Sequence, residues 1–368
     1  MPTELPANSS QRLLSLDFLR GFIMVLLALE STGLYGYLIA ASEGGTLQGV
    51  FLQFTHHPWH GLRLWDLVQP SFMFIAGTAL ALSLHRQEQQ GMRWSASFRK
   101  TLRRCFWLFF WGVLDYAVRG HHLSFELWDV LTQLSFTTLV AFLIFRWPAG
   151  WQIACCAGLL LLAEGLYRLT RIPGFEMPFT DQHNFGNYVD LLLMNKINPD
   201  GWVAINCLPT AVHTIAGALA GKLLLTNKNP LRWILGWGFV CLLLGYGLDA
   251  SGITPIIKRI ATSSFTLASL GWCLLELAWC YWWIDILRHR RGLQFFTIVG
   301  MNSLFIYLFF EIVGDRWFTE YGLVITANLM SFAGVPHVPR MIVASLCVFA
   351  AEWLLCYFLY RKKIFFKL

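Results

Sequence analysis

The sequence predicts an all-α polytopic integral membrane protein with about ten transmembrane helices, and three observations carry that prediction. Hydrophobic residues make up 56% of the 368 and charged residues 13%, with a mean hydropathy of +0.54, a balance foreign to soluble domains. Apolar runs of about 20 residues, the length that crosses a hydrocarbon core of ~30 Å, recur along the chain. Many of the 17 tryptophans, among them Trp59, Trp65, Trp128, Trp151, Trp202 and Trp317, flank those runs, where interfacial belts form.

The runs cover residues 13–40, 66–85, 101–118, 127–146, 150–168, 203–226, 231–248, 261–287, 293–313 and 338–360. No extended soluble domain remains, so residues 1–368 form a single transmembrane domain. The longest polar interruption, Tyr167 to Trp202, is a loop with a short amphipathic piece at residues 188–197. Trp317 to Ala333 offers an alternative eleventh, half-length or re-entrant segment. An eleventh full span would carry the basic tail RKKIFFKL outside, so ten is preferred. With ten spans, both termini share a side. Nineteen of the 28 Lys and Arg fall on that side and nine on the other, which makes the termini cytoplasmic. The net charge of +7 therefore expresses topology. It sits in short loops and not on one soluble face, which argues against nucleic acid.

The nine cysteines all lie in apolar segments without a CxxC pair, so neither a disulfide framework nor a zinc site is supported. The stretch MPTELPANSSQRLLSLD is polar and lacks a charged n-region with a cleavage site, so the first apolar run is expected to stay as a helix.

In chain order, the first span opens SLDFLRG, where Asp17 and Arg20 stand three apart, as an ion pair or a ligand contact. Glu30 follows about 15 Å further along the helix. A buried glutamate is costly, so it is expected to face the bundle interior or a wet cavity. Next comes HHPWHGLRLWDLVQPSFMFIAG, residues 56–77. Three histidines stand ahead of the second span and Asp66 stands at its mouth. A lone loop histidine is ordinarily a solvated interface residue, and a lone aspartate there a helix cap. Together they make a base or nucleophile with a carboxylate able to fix its tautomer.

The sixth span places Asn206, Thr210, His213, Gly217 and Gly221 on one face. Its glycine pair invites close helix approach, and His213 reads as an interhelical hydrogen bonder or a site residue. Lys258 and the hydroxyl run Thr262, Ser263, Ser264 and Thr266 precede the eighth span. In the ninth, Ser303, Tyr307 and Glu311 lie four apart with Asn302 beside them. These polar faces are expected to converge at the depth of His56.

The same residues resemble the heparan-α-glucosaminide N-acetyltransferase family and its bacterial relatives. The family's LDxxRG is matched by Leu16 to Gly21. Its catalytic histidine, three residues before a Trp and ten before an Asp, is matched by His56, Trp59 and Asp66. A PEG-like turn and a following LPS or IPT helix correspond to Pro199 to Gly201 and Leu208 to Thr210. PxxK corresponds to Pro255 and Lys258, and GMNSxxxYxxxE to Gly300 to Glu311.

There are departures. The family's Asn in the first span is Glu30 here, and its Gln-Arg pair is Thr132 and Gln133. The long lumenal segment ahead of the first span in the animal enzyme is not expected. Relatives carrying ESTGLY and WHGxxxWDLxQP resemble bacterial inner-membrane proteins.

The resemblance implies transfer of acetyl from cytosolic acetyl-CoA, as co-substrate and without a metal, to a glycan or amino-sugar amine or hydroxyl across the bilayer. His56 and Asp66 would be catalytic. Residues and resemblance together nominate Arg20, Glu30, Trp59, Thr210, His213, Lys258, Asn302, Ser303, Tyr307 and Glu311 for substrate or CoA contact. The alternative is a polytopic transporter of a small polar or anionic solute. Such proteins usually show inverted repeats and paired broken helices, and neither is legible in the sequence. Oligomeric state stays open, a homodimer included.

Overall fold

A computed structural model of the protein describes residues 13–117 and 123–366. Most of the polar leader, and Arg12, Arg119 and Lys367 of the charge pattern, lie outside the described residues. The described residues form fifteen α-helices: α1 Leu14–Ser31, α2 Leu34–Ala41, α3 Gln48–Leu52, α4 Val68–Gln89, α5 Trp94–Ala117, α6 Val130–Leu143, α7 Ala149–Leu169, α8 Phe185–Met194, α9 Cys207–Thr226, α10 Pro230–Ala250, α11 Ser263–Cys280, α12 Leu293–Met301, α13 Ser303–Phe309, α14 Thr319–Ser331 and α15 His337–Arg361. Backbone polar groups in lipid must be satisfied within the segment, and helices do this locally. α7 and α10 turn apolar side chains such as Leu161, Phe239 and Leu243 outward, as lipid-facing helices do. α4, α9 and α11 hold the centre.

Among the described residues six helices are long and apolar enough to cross a bilayer, or eight if each of two bent pairs counts as one span. Length and composition thus account for six to eight of the about ten expected spans. The two expected spans left over correspond to α5 and α6. α5 carries Arg99, Lys100, Arg103 and Arg104 in its first half, and α6 is only 14 residues long. The amphipathic piece expected at 188–197 is α8, slightly earlier. The doubtful stretch from Trp317 to Ala333 is not a separate re-entrant segment. It is α14, continuing α13 through a π-helical stretch, Phe310–Phe318.

Both bent pairs sit at motifs. α1 and α2 meet at 69° across Thr32 and Gly33, whose φ of +72° suits glycine. The Ser345 hydroxyl of α15 donates to the Thr32 carbonyl at 2.9 Å, satisfying a group that the break would orphan. α12 and α13 meet at 74° at Asn302. Its amide donates to the Ile364 carbonyl at 3.0 Å and its oxygen accepts from the Phe366 N–H at 3.1 Å, tying the C-terminal tail into the break. The expected single spans 13–40 and 293–313 are therefore each two legs. α1 and α12 cross closely, with Gly21 against the Phe296 carbonyl and Gly300 against Gly21.

The GxxxG face of α9 packs on α4 as its glycines suggest. A Cβ at Gly77 would stand 1.9 Å from the Thr214 carbonyl oxygen, and one at Gly217 2.0 Å from that of Phe74. With lipid as solvent, such backbone contact is the main association force. Gly77→Ala is expected to lower stability by about 1–3 kcal/mol through forced helix separation. Gly36→Ala in α2, where nothing lies within 4 Å, should be neutral or slightly stabilising. Melting in detergent checks both, and equal stability of the two variants would refute the backbone-contact account.

Candidate active site

Asp66 lies in a short 3₁₀ turn, Leu64–Leu67, that leads into α4. Its side chain is 1% exposed, and its two oxygens have separate tasks. Oδ2 accepts the backbone N–H of Arg63 at 2.9 Å and of His57 at 3.2 Å, so it caps the turn and gathers the preceding loop. Oδ1 stands 2.9 Å from His56 Nδ1. The capping and orienting readings of this residue therefore hold together. The Arg63 guanidinium donates to Thr55 Oγ1 at 2.8 Å and to the His56 carbonyl at 3.0 Å, fixing the backbone that carries the ring.

Lys258 arrives from the far side of the chain. The loop ahead of α11 folds back so that Ile257 pairs with His60 in a single antiparallel bridge, and Gly61 N–H donates to the Ile256 carbonyl at 2.9 Å. The Thr262 hydroxyl caps α11 and accepts the Ile257 N–H at 3.0 Å, winding the loop tightly. Lys258 Nζ thereby reaches 3.1 Å from His56 Nδ1 and 3.6 Å from Asp66 Oδ1. It also lies 5.4 Å from the centre of the Trp202 ring, whose plane stands edge-on to His56 at 5.7 Å.

These distances decide the tautomer. Nδ1 meets two groups with opposite demands, since Asp66 Oδ1 at 2.9 Å calls for an N–H and the Lys258 ammonium at 3.1 Å could donate only to a bare nitrogen. The shorter contact, to a buried carboxylate, assigns the proton to Nδ1 and leaves the Nε2 lone pair free, with Lys258 paired to Asp66 Oδ1 instead. Lost hydration lowers the His56 pKa below the ordinary histidine value. The charge on Lys258 adds to that, and Asp66 opposes it. The ring is accordingly neutral at pH 7, with its side chain still 39% exposed. Burial also pushes Lys258 down to about 8, against the pull of Asp66. A neutral imidazole with a held Nδ1–H and a neighbouring cation can act as base or nucleophile through Nε2.

The other nominated residues are dispersed. Trp59 anchors the outer loops: its indole N–H donates to the Phe179 carbonyl at 2.8 Å, and its ring packs under Gly201. The Thr210 hydroxyl bonds back to the Asn206 carbonyl at 2.9 Å. His213 is fully buried with Nε2 at 2.8 Å from Ser269 Oγ, the interhelical bond between α9 and α11. Arg20 is 4.0 Å from Asp17 near the start of α1. Glu30 is exposed at the α1 break and does not face the bundle interior, because the helix ends one residue later. Asn302 holds the tail, and Ser303 opens α13 beside it. Tyr307 donates to Asp129 Oδ2 at 2.9 Å, and Glu311 lies near enough to act on that tyrosine. The expected convergence of polar faces thus reduces to His56, Asp66 and Lys258.

Four residues escaped sequence reasoning. Trp202 looked like an interfacial tryptophan but walls His56. Ser71 and Glu276, 3.0 Å apart, join α4 to α11 about one and a half turns beneath Asp66. Asp190 of α8 is fully buried, accepting Trp128 Nε1–H at 2.9 Å and Ala204 N–H at 2.9 Å, and so anchors the segment that carries Trp202. The only signal in the sequence was a carboxylate on the apolar side of a short amphipathic helix. Burial raises Asp190 to about 7, the two donors opposing. With a folded pKa above the unfolded one, its contribution to stability is full below about 4 and is lost as pH rises through about 7. Melting of wild type should fall between pH 5 and pH 8 relative to Asp190→Asn. An identical pH slope in both proteins would refute this.

No protein-family model matches the chain. Among curated proteins it is similar to heparan-alpha-glucosaminide N-acetyltransferase of Homo sapiens, 25% identical over 97% of this chain, and to that of Mus musculus, 25% identical over 98%. The chain spans about 60% of the length of these relatives. The likeness is distant.

Proposed function

We propose that this chain is a transmembrane acetyltransferase that moves acetyl from acetyl-CoA on one side of a bilayer to a sugar amine or hydroxyl on the other. The cluster of His56, Asp66 and Lys258 at one end of the central helices carries the reading, and the names of the curated relatives support it. On this reading residues 1–368 form one acyltransferase domain. It has ten crossings if α5 and α6 also traverse the bilayer and each bent pair counts once. Its termini are cytoplasmic, its location is a bacterial inner membrane, and the His56 loop faces the periplasm.

In the direct route Nε2 of His56 takes the proton of the acceptor as that group attacks the thioester carbon, and CoA leaves as its thiolate. In the covalent route Nε2 attacks the thioester carbon first and CoA leaves as its thiolate; the acceptor then takes the acetyl group from the acetyl-imidazolium and its proton passes to the freed Nε2. Asp66 stabilises the imidazolium in both. Lys258 keeps the free imidazole unprotonated and makes an acetyl-imidazolium more electrophilic. The pantetheine arm cannot pass between α4 and α9, where even a methyl group has no room. The polar seam of Ser71 and Glu276 between α4 and α11 is the better route toward Asp66.

The transporter reading gains the two broken helices, which touch each other through α1 and α12. Yet the Thr32 carbonyl is taken by Ser345, and both polar atoms of Asn302 by the tail. These groups are spent within the protein, which favours the transferase.

Proteoliposomes test the reading. Acetyl-labelled acetyl-CoA is supplied on one side and glucosamine on the other. Orientation is read by an impermeant maleimide on Gln53→Cys. Label should reach the sugar, or His56, only when acetyl-CoA is given opposite position 53. No transfer from either side, together with no acetyl-CoA-dependent rise in melting temperature, would overturn the assignment.

A further inference from the structure

About 33 Å along the helix from Asp66, taking 22 residues at the α-helical rise, α4 ends at a second polar site. The ends of α4, α6 and α9 and the start of α5 enclose a cavity of about 200 Å³, lined by Glu88, Trp94, Ser97, Phe145, Arg146 and Lys222 among others. Aromatic rings hold its cations. The Arg146 guanidinium lies 4.2 Å over the Trp94 ring, whose opposite face stacks on Phe142 at 4.3 Å. The Lys222 ammonium lies 4.0 Å from the centre of the Phe145 ring and donates to the Phe145 carbonyl. Gln152 pins the same turn, donating to the carbonyls of Phe145 and Trp147.

Among the described residues neither cation has a carboxylate partner within ion-pair distance. Ser97 lines the cavity at 3% exposure, and its hydroxyl has no hydrogen bond within the described protein. A ring face stabilises a cation only weakly and does not use its N–H donors; Lys222 spends one of its three on the Phe145 carbonyl. Two such cations and an idle buried hydroxyl around one cavity are complementary to an oxyanion with several acceptor oxygens.

We propose that this cavity binds a phosphate group, held by Arg146, Lys222 and Ser97 at the end of the bundle opposite His56. Glu88, exposed on the rim, opposes a bare anion and suits a ligand whose phosphate is accompanied by a hydroxyl or an ammonium. A phospholipid headgroup has that chemistry. So has the phosphorylated nucleotide end of an acyl donor, a source that rests on the acetyltransferase reading. Both faces of Trp94 are occupied, so a nucleotide base would not stack there. The exposed Trp147 and Trp151 nearby place the cavity at the level of an interface, where basic pockets between helices take headgroups.

The test compares wild type, Arg146→Gln with Lys222→Gln, Ser97→Val, and the surface control Arg290→Gln with Arg291→Gln. One arm measures melting in nanodiscs of phosphatidylcholine alone or with phosphatidylglycerol. The other titrates 3′,5′-ADP in detergent. Wild type and the surface control should be stabilised by at least one probe. The cavity double variant should lose about tenfold or more in apparent affinity for that probe, and Ser97→Val should lose less without any change of charge. A response confined to the lipid arm names the headgroup, and one confined to 3′,5′-ADP names the donor. No stabilisation of wild type by either probe, or equal stabilisation of wild type and the cavity variant, overturns the proposal. Acetyl transfer in the proteoliposome assay, measured alongside, keeps such a failure separate from failure of the transferase reading.

Discussion

His56→Ala is expected to lose nearly all acetyl transfer while acetyl-CoA still raises the melting temperature. The argument rests on atoms already placed. Asp66 holds Nδ1–H at 2.9 Å, and Nε2 is left with a free lone pair on a ring that burial and Lys258 keep neutral. Removing the base or nucleophile costs at least the 10²- to 10⁴-fold typical of a positioned proton acceptor, and more if an acetyl-histidine forms. Asp66→Asn should also fall steeply. The substituted amide would keep one acceptor for the N–H groups of Arg63 and His57 and turn its NH₂ toward Nδ1, forcing the proton onto Nε2, the reacting nitrogen. His60→Ala should keep most activity. His60 points away to Asp249 at 2.7 Å, and that carboxylate also accepts the Ile256 N–H. Initial rates with labelled acetyl-CoA check the series. Full turnover in His56→Ala with none in His57→Ala or His60→Ala would move the reacting group elsewhere in the loop.

Lys258→Met should separate activity from stability. With Lys258 at about 8, wild-type activity is expected to decline above pH 8 as the ammonium is lost, and to decline at acid pH only below the ordinary histidine range. Removing the cation takes away a charge that lowers His56, so the acid limb moves to higher pH and the limb near 8 disappears. The rate at pH 7 should drop by roughly 10- to 100-fold, the scale of one electrostatic contact at a reacting centre.

Stability moves the other way. A lysine whose folded pKa lies below the unfolded 10.5 disfavours the folded state at neutral pH. That cost is relieved as pH rises from about 8 to 10.5, because the unfolded chain then binds more protons. At the 6% exposure of Lys258 it is on the order of 3 kcal/mol, so Lys258→Met should melt higher at pH 7. Asp66 remains satisfied by His56 and two backbone donors. Lower melting together with an unchanged pH profile would show that Lys258 is structural. Stability lost for function in this way is common at sites that hold a buried charge.

The parts of this protein legible in the sequence obey local rules. Helices of bilayer length follow from counting apolar residues, since the hydrocarbon thickness and the need to pair every backbone group act on each segment alone. The close pairing of α9 with a neighbour was written in Gly217 and Gly221. The link between His56 and Asp66 spans ten residues, short enough for loop and helix mouth to settle by themselves.

What only the tertiary structure decided depends on contacts between segments far apart in the chain. Lys258 lies 202 residues from His56 and enters the site because one bridge and one threonine cap fold its loop back. Trp202 does so because Asp190 grips the residues around it. The polar stripe Ser303, Tyr307 and Glu311 pointed into the bundle, but Asn302 broke the helix above it, and the amide of that residue was claimed by a tail 62 residues on. Periodicity assumes a straight helix and cannot foresee a break whose freed groups are satisfied from elsewhere. Composition and spacing therefore determined that the chain is a membrane protein with a histidine-aspartate pair at a helix mouth. Packing determined which cation stands beside that pair, because a buried charge is tolerable only where partners from several segments meet.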